Sequence, residues 1–411
     1  MAESQNTKAF YNTEIPSDWE VKTLGTLGTF SKGKGISKSE LIESGIPCVR
    51  YGELYTKHDY VIKNYLSFIS ESTASQSIAI TKGDILFAGS GETIEEIGKS
   101  AAIIKDDTAY AGGDIIILTT NLLTDSICLS YALESDFVRK QKRRLGQGNS
   151  VVHIYARDLS KVAITLPPLP EQRAIANGLG KMDEAINANN QLIAQKALRK
   201  KWLMQNLLTG KKRLKGFSGE WKKIGAGGLF KSFTKKGFEN EELLSATQDR
   251  GIIPRSSLEG RVTMPSSGIK GYKLVEPGDF IVSLRSFQGG LEYSYHRGVV
   301  SPAYIVLKPK EKINDEFYKQ YYKSYEFIGR LATAVIGIRD GKQVSYNDFC
   351  IVKIPHPSLE EQTAIAQILQ AVDKELTLLK AKTDKLKEQK KGMMQALLTG
   401  KKRLNLEYHG E

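Results

Sequence analysis

The sequence predicts an α+β chain: two mixed α/β halves, each closed by a long helix. Three observations predict it. A long segment recurs at a constant offset. Each copy carries apolar residues at coiled-coil spacing. The stretches between the copies are short β-branched and aromatic runs cut by glycines.

The first copy opens at Glu171-Gln172 and closes on Leu207-Leu208-Thr209-Gly210-Lys211-Lys212-Arg213-Leu214. The second opens at Glu361-Gln362 and closes on Leu397-Leu398-Thr399-Gly400-Lys401-Lys402-Arg403-Leu404. The offset is 190 residues at both ends (361 − 171 and 404 − 214), so the copies align without a gap. Eight identical residues in one register exclude coincidence.

Both copies start like helices. Pro167, Pro168 and Pro170 bar earlier helix in the first, and Pro170 suits a first turn. Ser358 with Glu361 fits a capping box in the second. Both stop at a glycine, Gly210 or Gly400, followed by a basic cluster that suits a helix C-terminus. In between, steps of four and three alternate. The first seam is Ile175, Leu179, Met182, Ile186, Asn189, Ile193, Lys196, Lys200, Leu203 and Leu207. The second is Ile365, Leu369, Val372, Leu376, Leu379, Thr383, Leu386, Lys390, Met393 and Leu397. This is the coiled-coil heptad, on helices roughly 50 Å long, too long to core a small domain. The shared spacing favours the helices packing on each other. In a symmetric antiparallel pair, Asn189 would face Thr383. Lys196, Lys200 and Lys390 do not suit a dry seam. They either snorkel or face a partner's helices.

The halves between the helices share their ends. Each enters at a tryptophan, Asp18-Trp19-Glu20 or Glu220-Trp221-Lys222, and each then has a Lys/Gly turn. Each has a Gly-Asp step into an apolar strand, Gly83-Asp84-Ile85-Leu86-Phe87 or Gly278-Asp279-Phe280-Ile281-Val282. Each leaves through a strand running into prolines, Val162 to Pro167 or Ile351 to Pro355. The middles diverge, which reads as one fold carrying two different binding surfaces.

The chain has 411 residues, 40% hydrophobic and 26% charged, with a formal charge of +13. That balance points to a polyanionic partner, nucleic acid first. No stretch reaches the roughly 20 apolar residues of a membrane span, so no membrane role is expected. Cys48, Cys128 and Cys350 are too scattered for a disulfide framework or metal cluster, and a cytoplasmic location is expected. His58, His153, His296, His356 and His409 are isolated, so no metal is expected.

This layout resembles the specificity subunit of a type I restriction–modification enzyme. The resemblance is carried by Leu166-Pro167-Pro168-Leu169-Pro170-Glu171-Gln172, Pro357-Ser358-Leu359-Glu360-Glu361-Gln362, the two Leu-Leu-Thr-Gly-Lys-Lys-Arg-Leu ends, the two tryptophans and the Gly-Asp strands. It implies two target recognition domains in pseudo-twofold arrangement, joined by two antiparallel coiled-coil helices. The expected boundaries are an N-terminal tail 1–14, domains at 15–167 and 211–357, spacer helices at 168–210 and 358–404, and a tail 405–411. Each domain would read one half of a bipartite site in double-stranded DNA. The helices would set the gap and dock two methyltransferase subunits, which carry S-adenosylmethionine and methylate adenine N6. Restriction subunits, using ATP and magnesium, would join them. The chain itself would hold no cofactor and no catalytic residue.

Candidate DNA contacts follow from chemistry: cations for phosphate, and Arg, Lys, Asn and Gln for base edges. In the first half these are Lys32, Lys34, Arg50, the loop residues Ser90 and Thr93, the cluster Lys142, Arg143 and Arg144 beside Lys140, and Gln147 and Asn149. In the second they are Lys235, Lys236, Thr247, Gln248, Arg250, Arg285, Ser286, Gln288, Arg339, Lys342 and Gln343. For Arg50, a buried structural role competes. For the Lys142 cluster, a solvated helix end competes.

Two motifs mislead. Phe87-Ala88-Gly89-Ser90-Gly91 resembles the glycine loop of a methyltransferase, and would make the chain a self-sufficient DNA adenine methyltransferase. The Pro-Pro at 167–168 lacks the polar and aromatic flanks such an enzyme needs. Gly91 to Ser100 resembles a phosphate loop, but six residues separate its glycines where four are required. A coiled-coil scaffold with two domains that bind something other than DNA is the remaining alternative.

Overall fold

Gly83 and Gly278 lie at φ +99° and +98°, the left-handed region that glycine enters without strain. Each is the third residue of a tight turn closed by a main-chain bond, Asp84 N–H to Thr81 O or Asp279 N–H to Glu276 O, both 3.1 Å. The aspartate then accepts from the first residue of its turn. Thr81 N–H lies 2.8 Å from Asp84 Oδ2, and Glu276 N–H lies 2.8 Å from Asp279 Oδ2. The Gly-Asp steps are therefore self-capping turns that launch the central strands Ile85–Ala88 and Phe280–Val282.

The computed structural model describes residues 6–404 except 12, 92, 122, 149–150, 259–268, 285 and 335–343; the Phe287 side chain is also left undescribed. The chain divides into two compact units, residues 1–188 with 383–411, and residues 189–382. Each unit holds one mixed α/β domain and a piece of both long helices, so the units divide within the helices instead of at their ends. No described helix is long and apolar enough to cross a membrane.

In the first unit, Ile85–Ala88 is central to a five-stranded sheet. Its order is Gly28–Lys32, Ile115–Thr120, Ile85–Ala88, Ser100–Ile103, Tyr60–Ile62. Only the last pairing is parallel. A second five-stranded sheet contains Ile46–Val49 and Ala109–Ala111. Helices Ser126–Leu133 and Asp136–Leu145 cover the first sheet, with Leu129, Leu133 and Val138 packed on Ile85, Phe87 and Leu118. The stretch expected as an N-terminal tail contains a hairpin instead. Thr7–Phe10 pairs with Thr13–Pro16, because Phe10 and Ile15 bury against Trp19.

In the second unit, Phe280–Val282 lies in a four-stranded sheet ordered Phe230–Phe233, Ile305–Pro309, Phe280–Val282, Glu292–Tyr293. Its core is aromatic: Phe230, Phe280, Phe317, Tyr318, Tyr322 and Phe349 are buried together, with Ile365, Ala366 and Leu369 of the second long helix among them. Both domains close the same way. The strand after each tryptophan pairs antiparallel with the strand that runs into the prolines: Glu20–Thr23 with Ala163–Leu166, and Lys222–Gly225 with Lys353–His356.

The long helices run Leu169–Leu207 and Leu359–Leu397, 39 residues each. Gly210 and Gly400 follow at φ +71° and +70°, the left-handed geometry of a helix stop. The second helix start departs from the expected capping box. Ser358 Oγ does accept from Glu361 N–H at 3.3 Å, but the Glu361 carboxylate points elsewhere.

Candidate nucleic-acid interface and its helical frame

The duplicated motif residues assemble into two clasps, one within each unit. In the second unit, Glu361 is buried and accepts from Arg213 Nε and Nη2, both at 2.6 Å, and from Trp221 Nε1 at 2.8 Å. In the first, Glu171 is buried and accepts from Arg403 Nε at 3.1 Å, Arg403 Nη2 at 2.6 Å and Trp19 Nε1 at 3.1 Å. Hydrogen bonds donated to Glu171, then Asp18, hold the Arg403 guanidinium well above its usual pKa. The neighbouring glutamines repeat too. Gln172 Oε1 accepts from Asp125 N–H and Gln362 Oε1 from Asn314 N–H, both at 2.8 Å. Each thereby fastens a long helix to a residue that caps a domain helix. A buried carboxylate needs such partners, because unpaired it would lose several kcal/mol of solvation.

The same pairs give the direction of the helices inside each unit. Glu171 meets Arg403 and Asp183 meets Lys390, so one number climbs as the other falls. In the second unit, Arg213 meets Glu361, Lys200 meets Asp373 and Lys196 meets Glu375. In each unit the two helix segments are antiparallel. The seam lysines are thus ion-paired within the chain. Lys200–Asp373 and Lys390–Asp183, both 2.6 Å, correspond at the 190-residue offset. Lys196–Glu375 has no such counterpart, because the offset positions are Leu386 and Ala185. Domain side chains join in: Tyr131 Oη donates to Asp183 at 2.7 Å, and Gln320 Nε2 donates to Asp373 at 2.8 Å. Asn189 donates to the carbonyl of Leu379 at 2.8 Å, one turn before Thr383 in the chain, and Leu379 is its own equivalent in the repeat. Ile175, Leu179, Ile186, Asn189, Ile365, Leu369, Val372 and Thr383 are buried, while Met182, Ile193, Leu376, Leu379 and Leu386 are half-buried.

Several expected DNA contacts in the first unit lie along one connected path. Lys32 is exposed, 3.8 Å from Asp114, whose carbonyl accepts from Gly89 N–H at 2.7 Å. The Gly89 carbonyl accepts from Ile154 N–H at 2.9 Å, beside the ribbon Ser90–Gly91 with Val152–His153. Gln147 is exposed and exchanges two main-chain bonds with His153, at 2.9 and 2.7 Å. Thr93, Lys34 and Arg144 are exposed; Arg143 and Arg50 are half-buried. Ser90 is buried, only 8% exposed, with Tyr55 Oη donating to its carbonyl at 2.7 Å. Lys142 is a correction. It is 2% exposed, donates to Gly98 O at 2.8 Å and pairs with Glu134 at 3.0 Å, so it is committed to the interior and unavailable to DNA.

In the second unit, Gln248 and Arg250 are exposed at the tip of the hairpin Leu244–Thr247 with Gly251–Pro254. Thr247 serves that turn: its hydroxyl donates to Gly251 O at 2.9 Å and accepts from Arg250 N–H at 3.1 Å. Gln288 is exposed, but Ser286 is fully buried, its Oγ accepting from Ser283 N–H at 2.8 Å; Ser286 too is corrected to a structural role. Lys323, which sequence reasoning missed, draws Gln248 and Gly289 together through their carbonyls at 3.4 and 3.0 Å. Lys235 and Lys236 are exposed, and Lys235 lies 4.9 Å from the Phe238 ring centre. Asn149, Arg285, Arg339, Lys342 and Gln343 lie outside the described residues. Among the described residues, no cluster of three His, Cys, Asp or Glu could hold a metal.

The family model for the type I restriction modification DNA specificity domain matches residues 16–195 and again 218–388. A putative type I restriction enzyme MjaX specificity subunit of Methanocaldococcus jannaschii is 27% identical, over 97% of each chain. The MjaVIII specificity subunit of the same organism is 25% identical, over 97% of this chain and 96% of that one. Among solved structures, the S subunit of a type I restriction–modification system from M. genitalium shares the fold, with a TM-score of 0.58 at 17% identity, over 96% of this chain and 99% of that one.

Proposed function

This chain belongs to the type I restriction–modification DNA specificity family, and on that premise we propose how its parts divide the work. Each of the two domains reads one half of a bipartite DNA site. The exposed cations Lys32, Lys34, Arg144, Lys235 and Lys236 meet phosphates, which supplies salt-dependent affinity without sequence information. Gln147 and Thr93 in one domain, and Gln248, Arg250 and Gln288 in the other, face base edges. Asn149, Arg285, Arg339, Lys342 and Gln343 extend those two sets by their chemistry.

The observation that carries this reading is the duplicated clasp. Glu171 and Glu361 anchor two domains to the helices through the same partners, while the exposed loops of the domains differ. A protein that had to hold two different readers in one frame would keep the frame and vary the readers. The helices then set the gap between half-sites. Exposed apolar residues along them, Leu198, Trp202 and Leu378, offer contact area to methyltransferase subunits. Those subunits bring S-adenosylmethionine, and restriction subunits bring ATP and magnesium. The chain contributes positioning and no catalytic group, and it acts in the cytoplasm.

The test lengthens the frame. Four residues inserted after Ala194 and after Asp384, equivalent sites in the repeat, add about one turn and ~6 Å. With a rise of ~3.4 Å per base pair, the gap in the methylated motif is expected to grow by roughly one or two base pairs, with both half-site sequences unchanged. A changed half-site sequence with the old gap would refute the proposal.

A further inference from the structure

We infer that His153 reads a base edge in the major groove of one half-site, and that Ser90 is the residue that positions it. This deepens the DNA-reading proposal above and rests on it.

The residues around His153 alternate strictly. Val152 and Ile154 are buried among Ile97, Phe87 and Val138, while Val151, His153 and Tyr155 are exposed. The alternation follows from the two-residue period of an extended chain, so the three exposed side chains share one face. Gln147 pairs with His153 through both main-chain bonds, which places its exposed amide on the neighbouring strand. Arg157 follows, with its guanidinium 5.3 Å from the Tyr155 ring centre. Amide and imidazole thus gather at the ribbon of Ser90–Gly91 with Val152–His153, to whose other edge Gln147 is bridged, and the stacked guanidinium follows on helix Ala156–Leu159. A β-ribbon is an element the major groove admits.

His153 is also held. Its Nδ1 lies 3.1 Å from Ser90 Oγ, and Ser90 is fixed in turn by Tyr55 Oη on its carbonyl. Because Nδ1 is engaged with Ser90, Nε2 is the ring nitrogen left for a ligand. A ring held this way loses little conformational freedom on binding, which favours directional hydrogen bonding over the mobile contact of a surface lysine. The flanks suit phosphate. Helix Asp136–Leu145 ends just before Gln147; Arg144 is exposed in its last turn, and Lys140 is exposed at mid-helix. No corresponding stripe exists among the described residues of the second unit. There, Ser345 caps helix Tyr346–Ile351, and Tyr346 Oη is turned to Phe230 O at 3.0 Å.

The test uses the chain assembled with its methyltransferase subunits. Base-resolution methylation sequencing gives the motif, and DNA binding is measured across a salt series. His153→Ala is expected to relax one position of one half-site, with discrimination there falling about ten- to hundred-fold. The gap, the other half-site and the salt slope stay as in the wild type. Ser90→Ala is expected to relax the same position to a lesser degree, an effect that a merely structural serine would not show. Retention of the other base positions of the same half-site in both variants reports that the first domain's fold is intact. An unchanged motif in His153→Ala would overturn the inference. So would a uniform loss across all sequences with a salt slope shallower by about one, which marks a phosphate contact. If the wild-type assembly itself binds DNA without sequence preference, the failure lies in the DNA-reading proposal and is recognised before any variant is made.

Discussion

Lys390 and Asp183 form an ion pair 2.6 Å long, and the Tyr60 ring centre lies 3.5 Å from the same ammonium. Burial pushes the lysine's pKa down, and Asp183 opposes that shift. Its counterpart in the repeat, Lys200–Asp373, has the same length but more solvent: the lysine side chains are 7% and 24% exposed. Asp183→Asn, which leaves a nearly buried cation without its partner, is expected to destabilise the first unit by about 2–3 kcal/mol. Asp373→Asn is expected to cost less than ~1 kcal/mol, because water screens that pair. Hydrogen exchange of the two units in each variant measures both; equal losses would show that burial does not set the difference.

Arg403 is expected to be indispensable to the first clasp. It serves Glu171 and, at 2.9 and 2.8 Å, both oxygens of Asp18. Arg403→Ala strands a buried carboxylate and is expected to destabilise the first unit by about 3 kcal/mol. Arg403→Lys should rescue little, since an ammonium cannot reproduce the two-pronged contact. Arg213→Ala should do the same to the second unit alone. Denaturant unfolding read separately at Trp19 and Trp221 distinguishes the units, and a variant that loosens both equally would count against two independent clasps.

Lys142 and Arg144 stand two residues apart and should behave oppositely. Lys142→Met is expected to weaken folding by roughly 1–3 kcal/mol, because Glu134 loses its partner, and to leave the salt dependence of DNA binding unchanged. Arg144→Ala is expected to leave folding intact and lower the salt slope by about 0.9. Binding titrations at several salt concentrations decide it.

The cysteines should divide by burial. Cys48 is fully buried, and that burial pushes its thiol up to about 12; Cys128 is buried and also raised. Cys350 is half-buried. Because the thiolate is the reactive form, alkylation of the native protein near pH 8, followed by mass spectrometry, should label Cys350 first. Early labelling of Cys48 would contradict its packing.

The sequence by itself determined the duplication and the helical period. The 190-residue offset is read from identity along the chain; the heptad of the long helices, their glycine stops and the two Gly-Asp steps depend on neighbours a few residues away, so spacing alone exposes them. Only the tertiary structure decided which charges remain free. Lys142 and Arg144 look alike in sequence, yet the helix that carries both turns one inward to Glu134 and the other outward. The seam lysines looked unpaired because their partners, Asp183, Asp373 and Glu375, are defined by antiparallel register. Glu171 read as a helix-start residue, and its role as the anchor of a clasp depends on Arg403, 232 residues away. His153 read as isolated, and a hydroxyl 63 residues distant gives it a place. A charge or ring takes its function from whatever folding brings to its other side, and spacing along the chain does not carry that information.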